Sequence, residues 1–302
     1  MRKFTAAQIR RFLATPARGK EAEAAKDVAW PRISIVTPSF NQERFLERTI
    51  QSVLNQEYPD LEYIVIDGGS TDGSAEIIRK YESRLAYWVS EKDKGQSHAI
   101  RIGFDRATGA ILAWLNSDDI YLPGTLRRVG EAFRTDPGLS VLYGNRYLID
   151  EKDAIIGERR LTRYVRHLSP AGLLYGGFGI YQPASFWTRQ AYLSVGGVDV
   201  QFEHCMDNDL FVRLALAGAE FEFAREYLAG FRVHPRSKTS TLSEVAARER
   251  ALIRSKYAAG SRWTGRLATC AMKTVRLMCY VAQGDALYPI KKRLCNKTPW
   301  VP

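Results

Sequence analysis

The acidic residues best placed for chemistry follow a buried segment. The apolar run that ends at Leu115 is followed directly by Asn116, Ser117, Asp118 and Asp119. Adjacent carboxylates are costly to leave unpaired, and they suit Mg²⁺ or Mn²⁺, which bind one or two carboxylates plus substrate phosphates. Turns rich in aspartate are also common in ordinary loops. This pattern alone therefore leaves a metal site and a plain turn both open.

Two further polar segments have the composition of nucleotide-binding loops. Residues 38–41 (Pro-Ser-Phe-Asn) follow one short apolar run, and residues 67–73 (Asp-Gly-Gly-Ser-Thr-Asp-Gly) follow a second. Backbone groups and a carboxylate can hold a base edge there, while glycines let a ligand approach. Either segment alone is better explained as a turn, but together they predict a nucleotide pocket. Its candidate residues are Thr37, Pro38, Ser39, Asn41, Asp67, Gly68, Ser70 and Asp72.

A third acidic segment precedes an amphipathic helix. Residues 204–209 read His-Cys-Met-Asp-Asn-Asp, and apolar residues recur at helical spacing after them. An acid at a helix start can be a cap that satisfies backbone N–H groups. A catalytic base needs the same position if the helix end points into a cleft. The sequence leaves both roles open for Asp207 and for Asp209.

Basic residues supply further candidates. His234 lies within the basic segment 232–240, where it could bind a metal ion or a phosphate, although a lone histidine is more often structural. In segment 94–101, three residues could reach the nucleotide or its phosphates: Lys94, Gly95 and Arg101.

The elements that must position these residues alternate between strand and helix. The pattern predicts strands near 33–37, 61–66, 85–89 and 110–115, with helices near 43–56, 73–83 and 96–107. A helix near 123–135, a strand near 139–144, a hairpin over 145–160 and a helix from about 207 follow. Such alternation predicts an α/β fold with a mostly parallel central sheet flanked by helices, whose ligands bind at the carboxyl ends of the strands.

Composition predicts an ordinary globular protein in a reducing compartment. The 302 residues are 45% hydrophobic and 25% charged, which fits one large domain with appendages. The four cysteines lack the short spacings of zinc sites or disulfide frameworks. The amino terminus lacks the apolar core of a signal peptide, and the chain contains no stretch of 18 uncharged apolar residues. We therefore expect a cytoplasmic protein.

The net charge of +11 is concentrated at the two ends of the chain. Residues 248–302 hold twelve lysines and arginines against Glu249 and Asp285, whereas the middle of the chain is slightly acidic. This distribution argues against a nucleic-acid-binding module and favours ends that meet an anionic surface. We expect a basic amino-terminal extension (1–30), a catalytic domain (31–240) and a basic helical carboxyl-terminal tail (241–302).

The tail has the pattern of an interfacial helix. Between 262 and 283, the apolar residues Leu267, Ala271, Val275 and Met278 share one helical face, and the charges in this segment are all basic. The segment is too polar to span a bilayer but suited to lie on an anionic one. A peripheral location on the inner face of the cell membrane follows. The alternative is that this helix packs on the catalytic domain or on a partner.

Taken together, these motifs resemble family 2 glycosyltransferases with the GT-A fold, the inverting enzymes of bacterial polysaccharide synthesis. The resemblance covers about residues 32–240 and is carried by segments 35–41, 67–72, 116–119 and 206–210. Two positions depart from the family pattern: Asn116 replaces the first Asp of the Asp-x-Asp motif, and Met206 replaces the Glu of a Glu-Asp motif.

The resemblance implies transfer of a sugar from a nucleotide-diphosphate sugar, expected to be a UDP-sugar, to a hydroxyl of a lipid-linked or cell-surface glycan. Asp207 would be the base. Asn116 and Asp118 would contact the donor, and a Mn²⁺ or Mg²⁺ ion would be held by Asp118, Asp119 and His234. The predicted acceptor-side residues are Gln182, Trp187 and Asp209.

Two other classes of protein share part of this pattern. A nucleotide-binding oxidoreductase would need Gly-x-Gly-x-x-Gly after the first strand, where this chain has Pro-Ser-Phe-Asn. A non-catalytic family relative that binds nucleotide sugar or scaffolds a glycan-assembly complex stays open, because Asn116 and Met206 depart from the pattern.

Overall fold

The structure is a computed structural model that describes residues 3–15, 29–161, 170–175, 179–258, 262–282, 284 and 287–288. Two parts of the predicted appendages lie outside these residues: 16–28 of the amino-terminal extension, and the end of the tail with its basic cluster 291–293.

The elements alternate through the first half of the chain, as the pattern predicts. They are α1 (Ala6–Ala14), β1 (Ile33–Ser39), α2 (Glu43–Leu54), β2 (Leu61–Asp67), α3 (Ser74–Lys80), β3 (Tyr87–Ser90), α4 (Gln96–Arg106), β4 (Ile111–Trp114), β5 (Ile120–Tyr121) and α5 (Thr125–Thr135). The second half contains β6 (Val141–Ile149), β7 (Ile155–Arg159), α6 (Pro170–Leu174), β8 (Ser185–Thr188), α7 (Arg189–Ser194), α8 (Met206–Leu216), β9 (Phe221–Arg232), α9 (Lys238–Thr241), α10 (Ser243–Tyr257) and α11 (Arg262–Ala282).

The strands form one sheet in the order β3-β2-β1-β4-β8-β6-β9-β5, with β7 paired to β6. The half from β3 to β4 is parallel, which confirms the predicted α/β class. The other half is mixed: β8 runs antiparallel to β4 and β6, β9 runs parallel to β6, and β5 runs antiparallel to β9. The sheet is more mixed than the alternating pattern predicts, because β6 and β7 form an antiparallel hairpin and β8 lies between β4 and β6, antiparallel to both.

Both faces of the sheet are covered. Ile35 and Val36 are adjacent on β1, and both are fully buried in opposite layers. Side chains alternate across a strand, so a strand such as β1, which is buried at every position, requires cover on each side. Helices α2, α3 and α5 cover one face, while α4 and α8 cover the other. The carboxyl ends of the parallel strands are therefore the accessible edge.

The predicted amino-terminal extension is partly an element of this fold. On α1, Ile9 and Leu13 are buried. The side-chain amide of Asn55 donates to the carbonyls of Phe12 and Thr15, at 2.7 and 2.9 Å. Residues 3–15 thus pack on α2, which the charge of this region did not indicate.

The predicted boundary at residue 240 is also corrected. Ala246 and Ile253 of α10 are buried in the layer beneath α8. On α11, Val275 packs against the same layer, whereas Leu267 and Met278 are 71% and 63% exposed. The predicted apolar face is therefore divided between the domain and solvent. Within the described residues, no helix is both long and apolar enough to cross a bilayer.

Candidate active site

The predicted motifs meet at one edge of the sheet. The order β3-β2-β1-β4 reverses direction between β1 and β4, since the chain moves to one side of β1 for β2 and β3 and to the other for β4. A crevice opens at such a switch point, outside the carboxyl ends of the strands. The loops after β1, β2 and β4 border this crevice.

Hydrogen bonds join the first two loops. The backbone N–H of Asn41 donates to Ser70 Oγ at 2.8 Å, and the N–H of Thr71 donates to Asn41 Oδ1 at 2.9 Å. Asn41 has a φ of 51°, a left-handed conformation that asparagine tolerates better than most residues. The two segments that the sequence paired as a nucleotide pocket are thus one connected structure.

A cleft of about 920 Å³ lies beside these loops. Predicted residues Asn41, Asp72 and His234 line it, together with Phe40 and Thr71. The Phe40 ring is 59% exposed, which is unusual for an aromatic side chain at a strand end and leaves its face open to a planar ligand. A drug-sized or nucleotide-sized molecule fits a cleft of this volume.

Several predicted pocket residues hold the loops rather than face the cleft. Asp67 is fully buried and accepts hydrogen bonds from Ser70 N, Ser70 Oγ and Ser90 Oγ at 2.9, 2.6 and 2.6 Å. Contact between Asp67 and a nucleotide base therefore requires one serine hydroxyl to move aside. The role of Asp67 in binding the base stays a prediction. Thr37 is fully buried and its side chain pairs with Tyr63 Oη at 3.0 Å, so only its backbone is left for the predicted contact with nucleotide, which stays a prediction.

The remaining loop residues shape the same edge. Pro38 and Ser39 are buried at the end of β1, and Asp72 accepts the backbone N–H groups of Glu43 and Ser74, each at 3.0 Å. Gly68 is packed so closely that an added Cβ would lie 2.9 Å from Asp93 Oδ2. Lys94 is exposed, and Gly95 has a φ of 104° at the start of α4. The contact of these two residues with the nucleotide stays a prediction.

Asp118 and His234 form the pair that fits a metal ion. Asp118 Oδ2 lies 3.0 Å from His234 Nε2, and the imidazole packs on the Phe45 ring with 4.8 Å between ring centroids. A carboxylate and an imidazole suit Mn²⁺ or Mg²⁺ when diphosphate oxygens and water complete the coordination. Among the described residues, no cluster of three or more His, Cys, Asp or Glu forms a ready site. A metal ion held by this pair would need further oxygen ligands from substrate or water.

Asp119 has a different environment from this pair, and its role as a metal ligand stays a prediction. It is 1% exposed, and its Oδ1 accepts the backbone N–H of Arg232 at 2.9 Å. Burial, together with the charge of Asp118, raises the pKa of Asp119 well above its ordinary value. Arg232 is itself buried and donates from Nε to the Asp118 carbonyl at 2.8 Å. These contacts fix the turn that presents Asp118.

Asn116 lies in a row of amides. Gln96 Nε2 donates to Asn116 Oδ1 at 2.7 Å, Asn116 Nδ2 donates to Gln182 Oε1 at 3.3 Å, and Gln182 Nε2 donates to the Trp114 carbonyl at 2.6 Å. Each group has a complementary partner only if residue 116 carries both a donor and an acceptor. The departure from aspartate therefore has a local structural reason. Gln182 borders the site, and its acceptor role stays a prediction.

Asp207 lies in the first turn of α8. Its Oδ1 accepts the N–H of Asn208 at 2.8 Å. Burial raises the pKa of Asp207 to about 6, and the positive charges of Arg146 and Arg250 oppose that rise. A carboxyl with a pKa near the working pH is matched to general-base catalysis.

Three other predictions are corrected. Trp187 is fully buried, with its ring 5.3 Å from that of Trp114, so it cannot contact an acceptor. Asp209 is fully buried and bonded to Arg213 Nε at 2.8 Å and Tyr257 Oη at 2.9 Å, which excludes an acceptor role. Arg101 binds Asp105 and the Gly196 carbonyl, towards the carboxyl end of α4 and away from the phosphate position predicted for it.

The structure adds three residues that sequence reasoning missed. Glu249 of α10 binds the backbone just before Asp207, Arg146 of β6 lies near Asp207, and Arg232 fixes the Asp118 turn. Of these three residues, only Glu249 stands out in the sequence, because it is an acid within the basic tail.

The fold and the loops at the switch point define a glycosyltransferase of the GT-A class. Staphylococcus aureus TarS 1–349, solved in complex with UDP-GlcNAc, matches with a TM-score of 0.60 at 15% identity, over 80% of this chain and 71% of that one. The mannosyltransferase PcManGT from Pyrobaculum calidifontis, solved with GDP-Man and Mn²⁺, matches with a TM-score of 0.55 at 17% identity, over 97% of this chain and 88% of that one. At these identities the likeness concerns the fold.

The family follows from sequence comparison. The family described as Glycosyl transferase family 2 matches residues 34–196. An uncharacterized glycosyltransferase of Mycobacterium tuberculosis is 34% identical over 188 residues, which cover 62% of this chain and 70% of the relative. The chain belongs to glycosyltransferase family 2, as the motifs predicted.

Proposed function

We propose that this glycosyltransferase moves a sugar from a nucleotide-diphosphate sugar to an acceptor hydroxyl, with inversion, using Asp207 as the base and a divalent cation held by Asp118 and His234. The observation that carries the proposal is the Asp118–His234 pair at 3.0 Å, because His234 also lines the cleft beside the loops that follow β1 and β2. A Mn²⁺ or Mg²⁺ ion bound there neutralises charge on the departing diphosphate.

The chain's own residues supply the rest of the reaction. Asp207 takes the proton from the acceptor hydroxyl, and its raised pKa makes it a stronger base than an ordinary aspartate. Phe40 offers an exposed ring face to the nucleoside, and the joined loops around Asn41 position it. Arg232 and Phe45 hold the Asp118 turn and the His234 ring in place before substrate arrives.

The metal proposal is tested with matched variants of two neighbouring acids. Asp118→Asn should lower Mn²⁺-dependent release of nucleoside diphosphate by about 100-fold or more, because the pair loses its charged ligand. Asp119→Asn should keep Mn²⁺ affinity near that of the wild type, since an amide oxygen at this position can still accept the Arg232 N–H. Full activity in excess chelator, or equal losses of Mn²⁺ affinity in both variants, would contradict the assignment.

We propose a uridine nucleotide as donor, because Asp67 matches the family's base-contacting residue. TarS binds UDP-GlcNAc and the Pyrobaculum enzyme binds GDP-Man, so the fold accommodates either base. Calorimetry with UDP, GDP and dTDP in Mn²⁺ decides between them. Equal affinity for all three would remove the preference for uridine.

We propose that α11 brings the enzyme to an anionic membrane surface on the cytoplasmic side, where a lipid-linked glycan would be the acceptor. Leu267 and Met278 are exposed on this helix, as is Lys273. Changing both Leu267 and Met278 to Ser should reduce binding to phosphatidylglycerol liposomes at low salt. Leu216→Ser, which alters a 51% exposed leucine on α8, is the control. Equal binding by the double variant would contradict the membrane proposal.

The second candidate is a non-catalytic relative, favoured by the departures at Asn116 and Met206. Asn116 fits its amide row and Asp207 keeps the matching acid, so both departures are compatible with catalysis. Mn²⁺-dependent release of nucleoside diphosphate by the wild-type chain, lost in Asp207→Asn, would dispose of this candidate.

A further inference from the structure

Arg146 is a cation held inside the domain without a direct anionic partner. Its guanidinium lies between two aromatic rings, 4.4 Å from the Tyr181 centroid and 4.1 Å from the Phe231 centroid. Its Nε is buried and has no hydrogen-bond partner among the described residues. No carboxylate of the described chain forms an ion pair with this side chain.

Such an arrangement is costly in the free enzyme. A buried guanidinium loses its water, and stacked rings replace only part of that solvation, whereas most buried charges are paired and hydrogen-bonded. Burial accordingly lowers the pKa of Arg146. Because the side chain keeps partial exposure, a molecule from solvent can reach it. The anionic partner of Arg146 is therefore expected to come from a bound ligand.

The position of Arg146 shows which ligand it would meet. Arg146 lies near enough to Asp207 for its charge to lower the pKa of that carboxyl. It belongs to β6, which lies two strands beyond β4 and so away from the loops of β1 and β2. Tyr181, which stacks on Arg146, also lies within the electrostatic reach of Arg159 and Arg276. Positive charge thus gathers around Tyr181, from arginines that do not belong to the loops after β1 and β2.

We propose that Arg146 binds an anionic group of the acceptor, a carboxylate or a phosphate, and so holds an acidic glycan with its hydroxyl at Asp207. This inference rests on the proposed role of Asp207 as base. The guanidinium fork matches the two oxygens of a carboxylate or phosphate, and the two rings fix its plane before the ligand arrives. Neutral acceptors would leave the charge unpaired and would bind more weakly.

The alternative source of an oxyanion is the donor diphosphate, since Arg146 is also within electrostatic reach of Asp119. Both sources offer the same chemistry, and the experiment separates them. The acceptor arm compares the binding of p-nitrophenyl β-glucuronide and glucose 6-phosphate with that of their neutral counterparts, p-nitrophenyl β-glucoside and glucose. The donor arm measures UDP and GDP affinity in Mn²⁺ by calorimetry.

We expect the wild-type enzyme to bind at least one anionic probe about 10- to 100-fold more tightly than its neutral counterpart, the scale of a charge-assisted hydrogen bond. Arg146→Met, which keeps a long apolar side chain between the rings, should abolish that preference. Arg146→Lys should restore part of it, and nucleotide affinity should be unchanged in both. Arg128→Gln is the control, because Arg128 pairs with Glu226 outside the site.

Two results would overturn the proposal. One is equal binding of anionic and neutral probes by the wild-type enzyme, which needs no variant and so does not depend on how the variants fold. The other is a loss of UDP or GDP affinity in folded Arg146→Met, which would assign the guanidinium to the donor. Failure of the proposed function itself would appear separately, as absence of Mn²⁺-dependent nucleotide release by the wild-type enzyme.

Discussion

Glu249 is predicted to hold Asp207, the proposed base, in position from a helix outside the family's motifs. Its Oε1 accepts the N–H of Glu203 at 2.7 Å, and its Oε2 accepts the N–H groups of His204 and Cys205 at 3.0 and 2.7 Å. Cys205 is the N-cap of α8, and its side chain makes no capping bond. One carboxylate from α10 therefore holds the backbone segment, up to the N-cap residue, that leads into the helix of Asp207.

The magnitude of removing this carboxylate follows from its contacts. A hydrogen bond to a charged group contributes about 1.5–3 kcal/mol. Glu249→Ala breaks three such bonds, but it also removes a buried charge whose desolvation opposed folding. We expect a net loss of about 3 kcal/mol in the free energy of unfolding, or about 6–12 °C in Tm for a domain of this size. A shift of about 1 Å at Asp207 would lower kcat by about 100-fold.

The assay compares Tm, kcat and KM for Glu249→Ala and Glu249→Gln with those for Glu244→Ala, which alters an exposed acid on the same helix. Glu249→Gln keeps one accepting oxygen but turns an N–H donor towards backbone donors, so it should lie between wild type and Glu249→Ala. The donor KM should change little, because Glu249 does not border the nucleotide loops. Unchanged Tm and kcat in Glu249→Ala would refute this reasoning.

Three further outcomes follow from the site. Asp207→Asn should lower kcat by about 100-fold or more while keeping UDP affinity, and wild-type kcat/KM should fall tenfold per unit below pH about 6 as Asp207 takes up its proton. Because the folded pKa of Asp207 lies above its unfolded value, this group lowers stability as pH rises from about 4 to about 6. Asp207→Asn should therefore raise Tm at pH 7, and an unchanged or lower Tm would count against burial as the cause of the shift. Asn116→Asp should set a carboxylate oxygen against Gln182 Oε1 and lower stability by about 1–3 kcal/mol in a urea melt, whereas a neutral result would contradict the amide row.

The parallel half of the sheet could be predicted because its sequence pattern and its packing agree. Every residue of strand β1 is buried, and the segment Pro-Ser-Phe-Asn begins with the last two residues of the strand. Segments 38–41 and 67–73 lie together as expected, since parallel neighbouring strands bring their carboxyl ends to one edge. The family match at 34–196 covers the same region.

The individual roles within the acidic motifs could not be predicted, because neighbouring residues on a turn point in different directions. Asp118 faces His234 from the adjoining strand end, whereas Asp119 is buried against the Arg232 N–H. Asp207 and Asp209 differ in the same way, since Asp209 binds Arg213 and Tyr257 inside the domain. The sequence names the acidic pairs, but only the packing around each turn selects which acid faces the site.

The carboxyl-terminal helices show why charge counting misplaced a domain boundary. The excess of basic residues after 248 is real, yet Ile253 of α10 is buried and Tyr257 bonds Asp209 at 2.9 Å. A basic helix can bury a narrow apolar stripe while its charges stay in water, so net charge does not report whether it packs. Glu249 also holds the segment that leads into the helix of Asp207. Removing residues after 241 should therefore inactivate the enzyme, whether or not the enzyme binds a membrane. Substitutions of exposed residues on α11 are therefore the informative test of membrane binding. They leave Glu249, which supports the proposed base Asp207, unchanged.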